Sequence, residues 1–300
     1  MGCGPVLSIR QGDALTLKKL ALLILACAVT FSCDTKSQSS GDDSRGKQTR
    51  KKSFGPCTPE ADLMAANIVQ GTVVKPSDED SKAVMMVYSN GELCTGSAIS
   101  DTVILTAAHC VVKGDTSNTI VIFYPSLSCE SGFNRATHSI PVSKIVVHSA
   151  YDAKLDADKA KGDLAVVFLA SKIPDGYPIY PIARPDEEVN DVLILYGYGK
   201  TGSNQRGAGI LRKTTVDTFV KDERSGKIKI TQENGPGICQ GDSGGPSLIY
   251  VGGQLKILGI NSYVSGDPKD VCNRNSFQVL AWSYMSWINE QLKAAELPPR

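Results

Sequence analysis

A serine on a glycine-rich turn, Gly241-Asp242-Ser243-Gly244-Gly245-Pro246, is the residue of this sequence best suited to attack a carbonyl. A serine hydroxyl is too weak an acid to do so unaided. It needs a base within hydrogen-bond reach, and that base needs an orienting partner. The sequence has three histidines, His109, His138 and His148, and His109 stands in Thr106-Ala107-Ala108-His109-Cys110 after an apolar, β-rich run. Asp163, in Gly162-Asp163-Leu164-Ala165-Val166-Val167, directly precedes another apolar run; Asp152, Asp156 and Asp158 compete for the same part but sit in a charged loop. Taken singly, Ser243 reads as a turn serine, His109 as a strand-end histidine and Asp163 as a cap. Taken together, they imply acyl transfer, with Ser243 as nucleophile, His109 as proton shuttle and Asp163 fixing the imidazole tautomer. Such chemistry also needs backbone N–H groups aimed at the developing oxyanion, each worth about 3–4 kcal/mol. The donors here are the N–H groups of Gly241 and Ser243, and Gly241, lacking a Cβ, permits the required backbone direction.

Three groups so far apart in sequence must be gathered by the fold. Short Val/Ile/Tyr/Thr runs broken by Gly, Pro, Asn and Asp predict an all-β barrel or sandwich. Strand-like runs fall at 83–88, 97–99, 103–106, 119–124, 144–148 and 164–169, and again at 192–196, 211–219, 227–231, 246–250, 256–260 and 276–280. Ile179 to Pro185 reads as a crossing between the two sets, and the spacing of Trp282, Met285, Ile288 and Leu292 predicts an amphipathic closing helix. Charge is balanced, 32 basic against 31 acidic residues in 300, so no basic surplus argues for nucleic acid. Gly197-Tyr198-Gly199-Lys200-Thr201-Gly202 fits G-x-G-x-x-G, but loop residues follow where a dinucleotide site needs a helix. No metal constellation or cofactor site is expected: the cysteines are spaced for bridges, and no His-x-x-x-His occurs.

The N-terminus reads as an export signal, residues 1–33. Lys18-Lys19 precede an apolar run, Leu20 to Phe31, too short for a bilayer anchor, and the long, partly acidic stretch before Lys18 points to a start downstream of Met1. Ser32-Cys33-Asp34 resembles a bacterial lipoprotein signal, in which the cysteine receives the lipid. Cys27 is an alternative, and an ordinary secretory signal with an incidental cysteine is the other. Residues 34–53, polar and without apolar period, read as a flexible tether. The expected location is a bacterial cell envelope, through a lipid anchor as the sole membrane contact, or a secreted or periplasmic state. Once Cys3, Cys27 and Cys33 are set aside, six cysteines remain, an even number that suits disulfides in an exported chain.

The serine, histidine and aspartate motifs, in that surrounding, resemble those of the chymotrypsin/trypsin family of serine endopeptidases, from Ile68 to about Leu292. The resemblance implies two antiparallel six-stranded Greek-key β-barrels, 68–185 and 186–300, with a short C-terminal helix and the site between them. It implies disulfides Cys94–Cys110 and Cys239–Cys272, which leaves Cys57–Cys129 by elimination. Ile68-Val69-Gln70-Gly71 resembles the family's mature N-terminus after a propeptide, 54–67, and Asp242 is the residue that pairs with the freed ammonium of Ile68. The expectation is therefore a zymogen activated by a protease that cuts at Asn67-Ile68, although Asn67 departs from the family's usual Arg or Lys. In the specificity pocket Gly237, followed by Ile238, stands where trypsin-like members carry an aspartate. Ser262-Tyr263-Val264 replaces Ser-Trp-Gly, and Ser276 takes the second wall position. These residues imply an elastase-like preference for small or medium apolar side chains over Lys or Arg. Tyr198 fits the family's Gly-aromatic-Gly turn, His148 a scaffold segment, and His138 an exposed loop. A monomer acting on proteins or peptides is expected. The rival readings are a non-catalytic binding protein on the same fold and a narrow regulatory protease that cuts one partner.

Overall fold

The computed structural model describes Cys57 and residues 69–75, 77–189, 191–205 and 207–300. The signal, the tether, Cys33, Asn67 and Ile68 lie outside the described residues.

Strand β1 (Thr72–Val73) precedes a 3₁₀ turn at Glu79–Ala83 and the strands β2 (Val84–Ser89), β3 (Glu92–Ala98) and β4 (Val103–Thr106). A one-turn helix, α1 (Ala108–Val111), follows, then β5 (Thr119–Ile122), α2 (Arg135–His138), β6 (Ser139–Val147) and β7 (Ala165–Leu169). Six of these strands close an antiparallel barrel in the order β2-β3-β4-β7-β6-β5. Strands β2 and β3 are joined by the two-residue loop Asn90-Gly91, both with positive φ (49° and 87°), the pairing a tight hairpin demands. Along β2 the side chains alternate between two cores. Met85 and Val87 pack with Ile104, Val121 and Val167, while Val84 and Met86 pack in a second cluster with Leu105, Ile122 and Val166. Both faces are buried, so the strand reads as one continuous apolar run instead of alternating with polar residues.

The second half contains β8 (Leu193–Gly197), β9 (Arg212–Val216), β10 (Phe219–Asp222), β11 (Lys227–Thr231), β12 (Pro246–Val251), β13 (Gln254–Asp267) and β14 (Asp270–Leu280). They form one antiparallel sheet of order β1-β9-β8-β12-β13-β14-β11-β10. The expected six strands are its middle; β1 pairs onto β9, and the 211–219 run breaks into β9 and β10, so the sheet has eight strands and two edges. A 3₁₀ turn at Ala281–Tyr284 leads into α3 (Met285–Ala294), which buries Ile288 and Leu292.

Barrel and sheet share a core. Met86, Leu105 and Val166 of the barrel belong to the same buried cluster as Tyr196, Leu248 and Ile257 of the sheet and Ile288 and Leu292 of α3. Each such side chain contributes about 1.5–3 kcal/mol when fully buried, so the two halves are not free to separate. The 179–185 crossing bonds to both: Tyr180 N–H donates to Ala98 O and Ala183 N–H to Ile257 O.

Candidate active site

The barrel's register brings His109 and Asp163 together. Strand β4 pairs with β7 so that Thr106 faces Ala165. His109, three residues beyond Thr106, therefore emerges beside Asp163, two residues before Ala165. His109 Nδ1 lies 2.8 Å from Asp163 Oδ2, and the His109 backbone N–H donates to Asp163 Oδ1 at 2.9 Å. One carboxylate thus holds both ring and backbone. The other candidate acids are solvent-exposed; Asp156 pairs with Lys159 and Asp152 caps its own loop.

Asp163 is itself held from two further directions. Ser262 Oγ donates to its Oδ2. On the other side, Gly162 N–H donates to Tyr284 Oη at 3.1 Å, and His148 packs edge-on against Tyr284 and Trp287. A Cβ at Gly162 (φ +63°) would stand 2.5 Å from His148 Nδ1, so this histidine is a wall against which the Asp163 loop turns. Burial opposes the Asp163 charge, but the His109 hydrogen bond and charge, the Ser262 hydroxyl and the His109 amide together hold its carboxyl below the ordinary value. His138 is not an exposed loop residue: it ends α2, half-buried, with its ring stacked 4.2 Å from that of Tyr124. Neither His148 nor His138 lies at the Ser243 turn.

Ser243 comes from the sheet. Its loop ends in β12, and Gly244 N–H donates to Asn261 O (2.7 Å) while Asn261 N–H donates to Gly245 O (2.8 Å). That places Ser262 beside Ser243, and Ser243 Oγ donates to Ser262 O at 3.4 Å in the side-chain rotamer seen here. The barrel grips the same loop: Thr95 N–H donates to Ser243 O (2.8 Å) and Thr95 Oγ1 to Gly241 O (2.9 Å). At Gly244 a Cβ would stand 2.1 Å from Thr106 Oγ1 and 2.3 Å from Thr95 O, so only glycine lets barrel and loop approach this closely.

The preceding turn runs Cys239-Gln240-Gly241-Asp242 and is closed by Asp242 N–H to Cys239 O at 3.1 Å. Gly241 has φ +98°, the value that a type II turn requires at its third residue. The Asp242 side chain is fully buried, accepting Gly199 N–H on Oδ1 and Cys239 N–H on Oδ2, each at 2.8 Å. Burial raises its carboxyl to about 7, against the pull of those two donors and of Arg212. Just beyond Ile68 the chain runs along this region, Gly237 N–H donating to Val69 O and Gln70 Nε2 to Asn234 O.

Around the expected pocket, Val264 pairs directly with Ser276 across β13 and β14, so their side chains share a face, and Val264 packs on the cluster that contains Ile238. Ser262, expected in the pocket wall, turns its hydroxyl to Asp163 instead: the β13–β14 pairing slips between Asn261 and Tyr263, so Ser262 sits in a bulge and does not share the face of Val264. Gly237 lies against buried Gln232, whose Oε1 would be 2.0 Å from a Cβ at 237. The Gln232 amide is fixed by Ile238 N–H, Ile238 O and Cys272 O. Neither Gln232 nor Thr95 stands out in the sequence, since their partners are main-chain groups of the 238–243 loop and of β14.

Among the described residues three disulfides are present: Cys94–Cys110, Cys239–Cys272 and Cys57–Cys129. Cys94, Cys110 and His109 cluster within 4.8 Å, but the two sulfurs are bonded to each other and offer no thiolate for a metal. Among the described residues no helix is long and apolar enough to cross a membrane.

The trypsin family model matches residues 68–288. Chymotrypsin-like elastase family member 1 of Bos taurus is 30% identical over 258 residues, covering 80% of this chain and 94% of the relative. The dog protein of the same name is 29% identical over 79% of this chain and 96% of its own length, and serine protease SP24D of Anopheles gambiae 28% identical over 83% and 86%. A solved structure, mouse neuropsin, a serine protease, superposes with a TM-score of 0.59 at 22% identity, covering 74% of this chain and 99% of its own, which speaks for the fold alone. These relatives are animal proteins and lend no support to a bacterial or lipoprotein origin.

Proposed function

Because the chain belongs to the trypsin family, we propose that it is a serine endopeptidase in which Ser243, His109 and Asp163 do the chemistry. The observation that carries this reading is the Asp163 carboxylate, which holds His109 at both ring and backbone next to the Ser243 loop. Rotation of Ser243 Oγ from the Ser262 carbonyl toward His109 Nε2 begins the cycle. As Oγ attacks the scissile carbonyl its proton passes to Nε2, and the imidazolium is stabilised by Asp163. The N–H groups of Gly241 and Ser243 meet the oxyanion. Collapse expels the amine with the proton from Nε2 and leaves an acyl-enzyme. Water, deprotonated by His109, then releases the acid.

In the same reading the chain is a zymogen. Cleavage at Asn67-Ile68 by another protease frees an ammonium that pairs with buried Asp242, and the course of Val69 and Gln70 along residues 234–237 supports it. The Cys57–Cys129 bridge keeps the propeptide attached after that cut. Val264, Ser276 and Ile238 favour small or medium apolar side chains in the pocket. The domain bounds are those read from the sequence, 68–185 and 186–300, with β1 crossing onto the sheet of the second, and the enzyme is an exported monomer. A fluorophosphonate tests the central claim. One adduct by intact mass on protein with Ile68 freed, and none on Ser243→Ala, is the expected result. A folded, cleaved wild type without adduct refutes the protease reading and leaves the binding-protein alternative.

A further inference from the structure

A buried arginine faces the oxyanion loop and takes no part in the chemistry above. Arg212 of β9 is 2% exposed; its Nη1 donates to the carbonyls of Gly207 and Ile210, and its Nε is buried without a partner. Strand register says where it points. Gly197 of β8 pairs directly with Arg212, and directly paired residues send their side chains to the same face with Cβ atoms about 4.5–5.5 Å apart. A Cβ built on Gly197 would lie 2.1 Å from Asp242 Oδ1. The Asp242 carboxylate therefore fills the side-chain space of Gly197, and the neighbouring side chain on that face is Arg212.

The two charges are matched in another respect. Among the described residues, neither makes an ion pair within 4.0 Å, and the one opposite charge that acts on each is the other. A charge buried at this depth and left alone costs several kcal/mol. We propose that Arg212 is the resident counter-charge of Asp242, a positioning residue that holds the Cys239–Asp242 turn, and with it the Gly241 N–H, in working order before any new N-terminus exists. This rests on the serine endopeptidase reading and deepens it. The uncut chain retains a basal acylation rate, and the ammonium of Ile68 adds to a loop that is already formed. If Arg212 were only a strut for the carbonyls of Gly207 and Ile210, its charge would have no separate bearing on the loop.

The test is the rate of fluorophosphonate labelling of the full uncut chain and of protein with Ile68 freed, for wild type, Arg212→Met and Arg212→Lys, with Ser243→Ala as background. The expected result is slow but measurable labelling of the uncut wild type. Arg212→Met lowers the uncut rate about tenfold and leaves the cut rate within about threefold, since the ammonium then supplies the charge. Arg212→Lys restores the uncut rate. Equal losses in cut and uncut protein, no rescue by lysine, or an uncut wild type that does not label while the cut form does, each overturn the proposal. Failure of the cut wild type to label overturns the protease reading instead. Should Arg212→Met not fold, unfolding of Arg212→Met/Asp242→Asn decides. Recovery of a folded protein on removing both charges supports the pair, and its absence counts against it.

Discussion

Asp242→Asn in the uncut chain should abolish a loss of stability that the wild type suffers between pH 4 and pH 8. The buried carboxyl titrates at about 7 in the fold because burial disfavours its charge, against 3.8 for an ordinary aspartate. A carboxyl whose pKa is raised by folding binds its proton more tightly folded than unfolded. Its contribution to stability is therefore fully present below the unfolded value, near 4, and is lost as pH rises toward and through 7. The shift of about three units corresponds to on the order of 4 kcal/mol, a large part of the 5–15 kcal/mol typical of a whole domain. Asparagine has no such slope, and its amide oxygen can still accept from Gly199 or Cys239 N–H. Asp163, whose carboxyl is held low, contributes stability above the unfolded value and loses it in acid, but both proteins share that group and it cancels in the difference. Urea unfolding of both chains at one-unit steps across this range measures the effect. The wild type should weaken relative to the variant by several kcal/mol. A difference that stays constant within about 1 kcal/mol would refute the placement of an ionising carboxyl in this site. In protein with Ile68 freed the slope should shrink, because an ammonium at Asp242 favours its charged form.

Ser262→Ala removes the hydroxyl from Asp163 Oδ2; hydrogen bonds to charged groups are worth about 1.5–3 kcal/mol, so kcat should fall about tenfold or more with KM little changed, in steady-state assays on an apolar peptide. Gly237→Asp should not create cleavage after Lys or Arg, because the new Cβ would meet Gln232 Oε1 at 2.0 Å; a peptide-mixture screen should show the preference unmoved and a melting scan a less stable protein, and efficient cleavage after Arg would contradict this packing. Cutting at 67–68 should leave one mass under non-reducing conditions and two after reduction, and Cys57→Ser should release the N-terminal piece without reductant.

How far the sequence reveals this site depends on how local each part is. Ser243, His109 and Asp163 are legible because each lies beside a recognisable apolar run, His109 just after β4, Asp163 just before β7, and Ser243 on the glycine-rich turn that leads into β12. The strands β4 and β11 are legible to the residue, Val103–Thr106 and Lys227–Thr231, since Ser100-Asp101 marks the start of one and Ser225-Gly226 that of the other. The long hairpin of β13 and β14 is not: 256–260 and 276–280 mark only its buried base, and the polar outer half up to Asp267 and Asp270 lacks an apolar signal and is set by cross-strand pairing. The hydroxyl of Ser262 is misread for a related reason. Its identity is plain, but its facing is set by the slip in pairing between Asn261 and Tyr263, a bulge that no residue pattern announces.

The part of the site least visible in the sequence is the joint between its halves. The histidine and the aspartate are set by barrel register, the serine by sheet register, and nothing in either pattern fixes the distance between them. Thr95 does so with two bonds from one residue, its N–H to Ser243 O and its hydroxyl to Gly241 O, while also accepting Tyr198 N–H. Gly244 makes the approach possible by having no side chain where Thr106 and Thr95 stand. A hydroxyl on a barrel strand and a missing methyl on the facing loop thus set the distance between base and nucleophile. Neither bears a charge or titrates, so no reading of reactive residue types would select them. They become visible only when each buried main-chain donor and acceptor around Ser243 is asked for its partner.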